Sequence, residues 1–234
     1  MEPFVVLAGR RSGTTLLVES LDSHPDIECT KDVFSIRRRW KYFQVDVATG
    51  LFYPYRSASL ERRIAYVFRR RRLIEEFLTE TFARAGAPQA RGIRLSYEQV
   101  RKYPHILTWM LKQNIRVLHL IRENSLKAIV SHFTAKKRGI AHATTKVEKV
   151  TLRLPPAELK RHLAQRAMEV ERYRRLLQDR PCCEMSYESF LENREAETRR
   201  ILEFLRVPRF VPLTSRLVKQ NSDSLKEIDR KSVV

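Results

Sequence analysis

Cysteine is scarce in this 234-residue chain. There are only three, Cys29 and the adjacent Cys182 and Cys183. None stands at a metal-ligand spacing and they cannot all pair with one another, which argues against a zinc site or a disulfide framework and leaves buried free thiols as the expectation. No run approaches the 18 apolar residues of a membrane span. Met1-Glu2-Pro3 leads straight into Phe4-Val5-Val6-Leu7-Ala8 without the basic start and cleavage site of a signal peptide, so a cytoplasmic protein is expected. Internal repeats and Gly/Ser- or Pro-rich linkers are missing too, and residues 1–234 are read as a single domain. The sequence offers no helix-turn-helix, RNA-reading aromatic motif or zinc finger, so no nucleic-acid partner is expected.

Basic charge is abundant. The formal net charge is +19. Such an excess attracts polyanions, anionic surfaces or phosphate-bearing ligands. Runs such as Arg37-Arg38-Arg39, Arg69-Arg70-Arg71-Arg72 and Lys136-Lys137-Arg138 read first as solvated helix faces.

The hydrophobic pattern gives an alternation of strands and helices. Phe4–Ala8, Gly92–Ser96, Ile115–Ile121 and 182–187 read as strands, the first as one buried on both faces. Thr14–Leu21, Leu60–Arg84, Tyr103–Lys112, Asn124–Lys137, Leu159–Leu177 and Glu195–Leu205 have helical spacing. Residues 27–58 are rich in aromatics, lack a period, and read as an irregular segment packed over something else. The expected fold is α/β, a three-layer α/β/α arrangement with a mostly parallel central sheet. Ligands in such sheets bind beyond the carboxyl ends of the strands. The two best strand-to-helix junctions, Ala8 to Thr15 and Ile121 to Asn124, both carry arginine.

The first junction has the parts of an anion site. Small residues entering a helix expose backbone N–H groups where the helix dipole is positive. Gly13 permits close approach, Ser12, Thr14 and Thr15 supply hydroxyls, and Arg10 or Arg11 supplies a fork of charged donors. A phosphate or sulfate is the ligand that fits. The loop is not a nucleoside-triphosphatase P-loop: three residues separate Gly9 from Gly13, and Thr14 stands where lysine is required.

With those residues in view, Arg11-Ser12-Gly13-Thr14-Thr15-Leu16-Leu17 resembles the 5′-phosphosulfate-binding loop of sulfotransferases, which move a sulfuryl group from 3′-phosphoadenosine 5′-phosphosulfate (PAPS) to a hydroxyl or amine. The segment 118–133, LHLIRENSLKAIVSHF, resembles that family's 3′-phosphate segment, with Arg122 and Ser131 at the matching positions. Their separation of nine resembles the bacterial carbohydrate branch, which includes trehalose and nodulation-factor sulfotransferases. Residues 185–207 are similar to the family's Tyr-Glu-x-Phe/Leu strand and following helix. Residues 92–104 resemble a segment in which the bacterial branch more often has lysine where Arg94 stands.

The resemblance implies a P-loop-like sulfotransferase fold, PAPS as donor, no metal, and a carbohydrate or glycolipid acceptor, to which the basic excess adds a hint of anionic character or of a peripheral place at the membrane. It assigns Arg11 to the departing 5′-phosphate, in the position of the family's lysine or arginine. Arg10, Ser12, Gly13, Thr14 and Thr15 complete the donor loop, and Arg122 and Ser131 take the 3′-phosphate. Arg10 replaces a proline common in relatives. The acceptor hydroxyl needs a general base. Asp32 occupies the place where relatives usually have glutamate; Glu28, His24 and His119 are the alternatives. Lys219 and Gln220, in a segment similar to the family's closing one, are candidates for the nucleotide or for a surface tail. Residues 34–84 are the expected acceptor-side elements. Two rival readings follow from the same residues, a non-catalytic polyanion- or nucleic-acid-binding protein and a P-loop kinase relative.

Overall fold

Glu2–Ala8 forms β1, and its alternation feeds two cores, Val5 and Leu7 entering one and Phe4, Val6 and Ala8 the other. A strand apolar on both sides is stable only in the middle of a sheet covered on both faces. The computed structural model describes residues 1–31, 33–34, 52–84, 86, 88–138 and 152–215. In chain order, β1 is followed by α1 (Thr14–Asp22), β2 (Ile27–Thr30), α2 (Phe52–Ser57), α3 (Leu60–Phe68), α4 (Arg70–Phe82), β3 (Ala90–Ser96), α5 (Tyr97–Lys102) and α6 (Pro104–Lys112). The second half carries β4 (Arg116–Ile121), α7 (Ser125–Arg138), α8 (Pro156–Leu177), β5 (Cys182–Ser186), α9 (Tyr187–Glu192) and α10 (Arg194–Phe204).

The sheet order is β2-β3-β1-β4-β5 and every pairing is parallel. One face packs on α4, α6 and the end of α8, through Leu73, Phe77, Leu78, Ile106, Trp109, Tyr173 and Leu177; the other packs on α1 and α10 through Leu17, Leu21, Ile201 and Leu202. This is the three-layer arrangement expected, with a wholly parallel sheet among the described residues. Because β1 lies between β3 and β4, the loops after β1 and β4 leave the same edge side by side, Ala8 standing in register with Leu120.

The helix expected over 60–84 is two helices, broken at Arg69 (φ −132°, ψ 38°). Arginine favours helix, so the run conceals the break. The change of direction lets α4 bury Leu73, Ile74, Phe77, Leu78 and Phe82, whereas α3 has no fully buried residue, packs only Ala65 and Tyr66 partly against the core, and leaves Leu60, Ile64, Val67 and Phe68 exposed. The segment 27–58 also departs from expectation, since it contains β2 and α2. Of its aromatics, Phe34 and Phe52 are buried 5.1 Å apart against Phe77 and Tyr103. Trp40, Tyr42 and Phe43 lie outside the described residues.

Arg91 is an interior charge, 1% exposed. Its guanidinium bonds Glu28 at 2.9 Å and the carbonyls of Phe82 and Arg84, joining β2 and the end of α4 to β3. All three cysteines are free, and burial pushes their thiols up, that of Cys182 to about 12. No described helix is long and apolar enough to cross a membrane. Among the described residues no group of three His, Cys, Asp or Glu side chains could hold a metal ion.

Candidate functional site

The chain leaves β1 through Gly9, Arg10, Arg11, Ser12 and Gly13 and enters α1 at Thr14. Two successive turns of the backbone need positive φ, 58° at Arg11 and 86° at Gly13. Gly13 adopts such a geometry freely, but an arginine pays about 1–2 kcal/mol for it. Gly13 is the N-cap of α1 and no side chain bonds that helix end. The first-turn amides of Thr14 and Thr15 are therefore without an internal partner, as at any uncapped helix start. Gly13 also lies against the Tyr187 ring, close enough that a Cβ there would overlap it.

The second junction meets the first. Arg122, just past β4, donates from Nη1 to the Arg11 carbonyl at 3.0 Å, and Arg11 Nε donates to Ser131 Oγ on α7 at 3.0 Å. Residues 111 and 120 positions apart in sequence are thus within hydrogen-bond reach. Arg122 packs over the Tyr187 ring, 4.8 Å from its centroid. Its buried Nε has no hydrogen-bond partner, and the nearest carboxylate oxygen, on Glu188, is 3.9 Å away. Glu188 instead accepts from the Glu123 and Asn124 amides, and Asn124 Oδ1 accepts from Lys127 N, which fixes how the chain enters α7.

Two expected loop residues sit differently from a simple ligand contact. Arg10 is drawn outward into an ion pair with Glu98 on α5. Ser12 is 1% exposed, and its hydroxyl accepts from Arg166 Nη2 at 2.8 Å. Arg166, on α8, was not among the residues expected here; its Nη1 also donates to the Arg10 carbonyl at 2.8 Å. A signal for it exists. Positions 166, 170, 173 and 177 share one helical face, Val170, Tyr173 and Leu177 of which pack into the core, so Arg166 is an arginine in an apolar stripe.

Burial pushes the Arg11 guanidinium below its ordinary pKa, and the charge of Arg122 adds to the effect. Burial does the same to Arg166, where Tyr97 opposes and Arg122 reinforces the shift. His132 is lowered by burial and then by Arg10 and Arg11. These shifts describe a pocket of positive potential, which an anion would relieve.

The alternative base residues are occupied elsewhere. Glu28 is in register with Arg91 and Pro3, five positions from the Ala8–Ser96 edge, about 17 Å at 3.3 Å per residue. His24 lies past the far end of α1, with Nε2 against Arg209 O and Nδ1 accepting from Asp26 N. His119 is fully buried in β4: Nδ1 faces Glu184 at 3.0 Å and Nε2 faces the Tyr97 hydroxyl. A proton on Nδ1 serves the carboxylate, so Nε2 accepts from the phenol. Arg174 holds Glu184 from α8, and Tyr97 stacks on Tyr173 at 4.2 Å. Asp32, Lys219 and Gln220 lie outside the described residues.

The model of the sulfotransferase family matches residues 3–212. No curated protein sequence matches the chain closely enough to count as a relative. Among solved structures, a sulfotransferase from Alicyclobacillus acidocaldarius is similar with a TM-score of 0.53 and 19% identity, over 97% of this chain and 89% of that one. The mouse sulfotransferase SULT7A1, solved with PAP, is similar with a TM-score of 0.52 and 12% identity, over 99% of this chain and 80% of that one. At such identities the structures speak for a shared fold. The family match spans both junctions, the whole parallel sheet and the helices that cover it: the chain belongs to the sulfotransferase family, enzymes that transfer a sulfuryl group.

Proposed function

We propose that the chain transfers a sulfuryl group from PAPS to a hydroxyl of a carbohydrate or glycolipid. The observation that carries this reading is the meeting of Arg11, Arg122 and Ser131 at one edge of the sheet, where burial and then the charge of Arg122 lower the pKa of the Arg11 guanidinium. Arg11, Ser12, Gly13, Thr14 and Thr15 form the cradle for the 5′-phosphosulfate; the Ser12 hydroxyl accepts from Arg166 and keeps its O–H to donate. Arg122 and Ser131 bind the 3′-phosphate, and the unpartnered Arg122 Nε is available to it. Arg10, tied to Glu98, frames the loop mouth.

Sulfuryl transfer passes through a loose, in-line transition state, as phosphoryl transfer does, and negative charge grows on the departing 5′-phosphate oxygen. Arg11 and the first-turn amides of α1 stabilise that oxygen. Asp32 takes the acceptor proton; its place in the sequence and the engagement of Glu28, His24 and His119 support it. No residue of the scheme calls for a metal. Residues 1–234 act as one domain, and the basic excess favours an anionic acceptor or a peripheral position at the membrane.

The test is transfer of labelled sulfate from PAPS to a panel of carbohydrate and glycolipid hydroxyls. Arg11→Ala is expected to lower kcat/KM by about 100–1000-fold, the scale of losing one transition-state donor, and Arg122→Ala to lower it chiefly through a raised KM for PAPS. Undiminished turnover in both variants would refute the site assignment.

A further inference from the structure

The grip of Arg166 on the loop is asymmetric in an informative way. It bonds the carbonyl of the residue before Arg11 and the hydroxyl of the residue after it, while Arg11 itself bonds Ser131 and accepts from Arg122. Arg11 is the loop's non-glycine residue with positive φ, a conformation that relaxes unless its neighbours are held. We infer that Arg166 is a positioning residue: its two-pronged grip on residues 10 and 12 keeps Arg11 in the left-handed conformation that aims its side chain at Ser131.

The mount for this grip is rigid. Two turns further along the same face of α8, Tyr173 is buried against Tyr97 and donates its hydroxyl to Tyr97 O, and Arg174 bonds both oxygens of Glu184 on β5. Tyr97 in turn lies under the loop, its ring within 3.3 Å of where a Cβ on Gly9 would stand. A displacement of the loop therefore has to break contacts to α8 that are anchored in the core. The planar fork reaches two acceptors at fixed spacing, whereas an ammonium supplies equal charge from a single point. Lysine at this position keeps the field and loses the grip.

The consequence for catalysis rests on the donor reading proposed above; the grip itself does not. Three variants separate the two: Arg166→Lys, Arg166→Gln and Ser12→Ala, the last removing one prong without touching α8. In the unliganded protein, hydrogen–deuterium exchange of amides 10–14 is expected to quicken about tenfold in both Arg166 variants and by less in Ser12→Ala, with peptides from β3 and β5 unchanged. Affinity for PAP, measured by calorimetry, is expected to fall about tenfold in Arg166→Lys, and the Arg166→Lys and Ser12→Ala losses are expected to be less than additive. Parent-like loop exchange in Arg166→Lys overturns the inference, since charge alone then suffices. Equal acceleration in β3 and β5 also overturns it, as a global packing role. If the parent does not bind PAP, the donor reading fails, and the exchange comparison still decides whether Arg166 holds the loop.

Discussion

Replacing Gly13 by alanine tests the loop geometry without reference to any ligand. Two costs fall on the variant. At φ 86° an L side chain is strained, by about 1–2 kcal/mol. The new methyl group would also overlap Cδ2 and Cε2 of Tyr187 and stand 3.1 Å from its Cγ. That ring cannot swing away cheaply, because it packs against the core beside α1 and carries the Arg122 guanidinium on its other contacts. Overpacking of this kind costs about 1–3 kcal/mol, so the sum is about 2–5 kcal/mol, a fall in Tm of about 4–20 °C for a domain of this size. Thermal and urea unfolding of the parent, Gly13→Ala, Tyr187→Ala and the double variant measure both parts. In the Tyr187→Ala background the same substitution should cost only the backbone strain, which leaves a coupling of about 1–3 kcal/mol between the two sites. A Gly13→Ala protein that melts within about 2 °C of the parent, or a coupling near zero, would refute this description of the loop.

Arg91→Ala should destabilise the protein by about 2 kcal/mol or more, because it leaves unsatisfied two carbonyls that the buried guanidinium now bonds, while Glu28, 41% exposed, turns to water; chemical denaturation reads it. Acid should weaken the fold in two stages. Burial keeps the pKa of His119 below its ordinary value of 6.5, so the unfolded chain takes up that proton first and stability drops as pH falls through about 6.5. Hydrogen bonds from Arg174, with the nearby His119 and Arg174 charges, hold Glu184 below 4.5, and its contribution is lost lower still. Urea midpoints measured from pH 7.5 to 4 should show the first slope in the parent and lack it in His119→Phe; the same slope in that variant would assign it elsewhere.

The two junctions were legible in the sequence because each couples a short apolar strand to a strongly periodic helix, and because basic and small residues stand where those meet. The same signals failed for α5 and α9. Each is a six-residue helix that begins immediately after a strand, too short to show a period. Their caps were nevertheless present, Ser96 with Gln99 in a capping box and Ser186 accepting from Ser189 N. β2 has four residues, IECT, whose alternation is lost among polar neighbours. Arg166 is hidden for a different reason: in a helix dense with arginines, only its place on the Val170–Tyr173–Leu177 face distinguishes it. The contacts of Arg11 with Ser131 and Arg122 depend on strand order, which puts β4 beside β1, and strand order is a property of the whole chain.

That order has a consequence for synthesis. The pocket draws on the loop after β1, Arg122 past β4, Ser131 in the middle of α7, the face of α8 and the first residue of α9, so its parts leave the ribosome over about three quarters of the chain. Until Tyr187 has emerged, Arg122 lacks the ring on which it lies, and until β4 has docked on β1 the strained turn at Arg11 has nothing across from it. A nascent chain from which α9 has not emerged holds Arg11, Arg122, Ser131 and Arg166 but lacks the ring on which Arg122 lies, so the complete pocket arrives late, with β5 and the short helix that follows it.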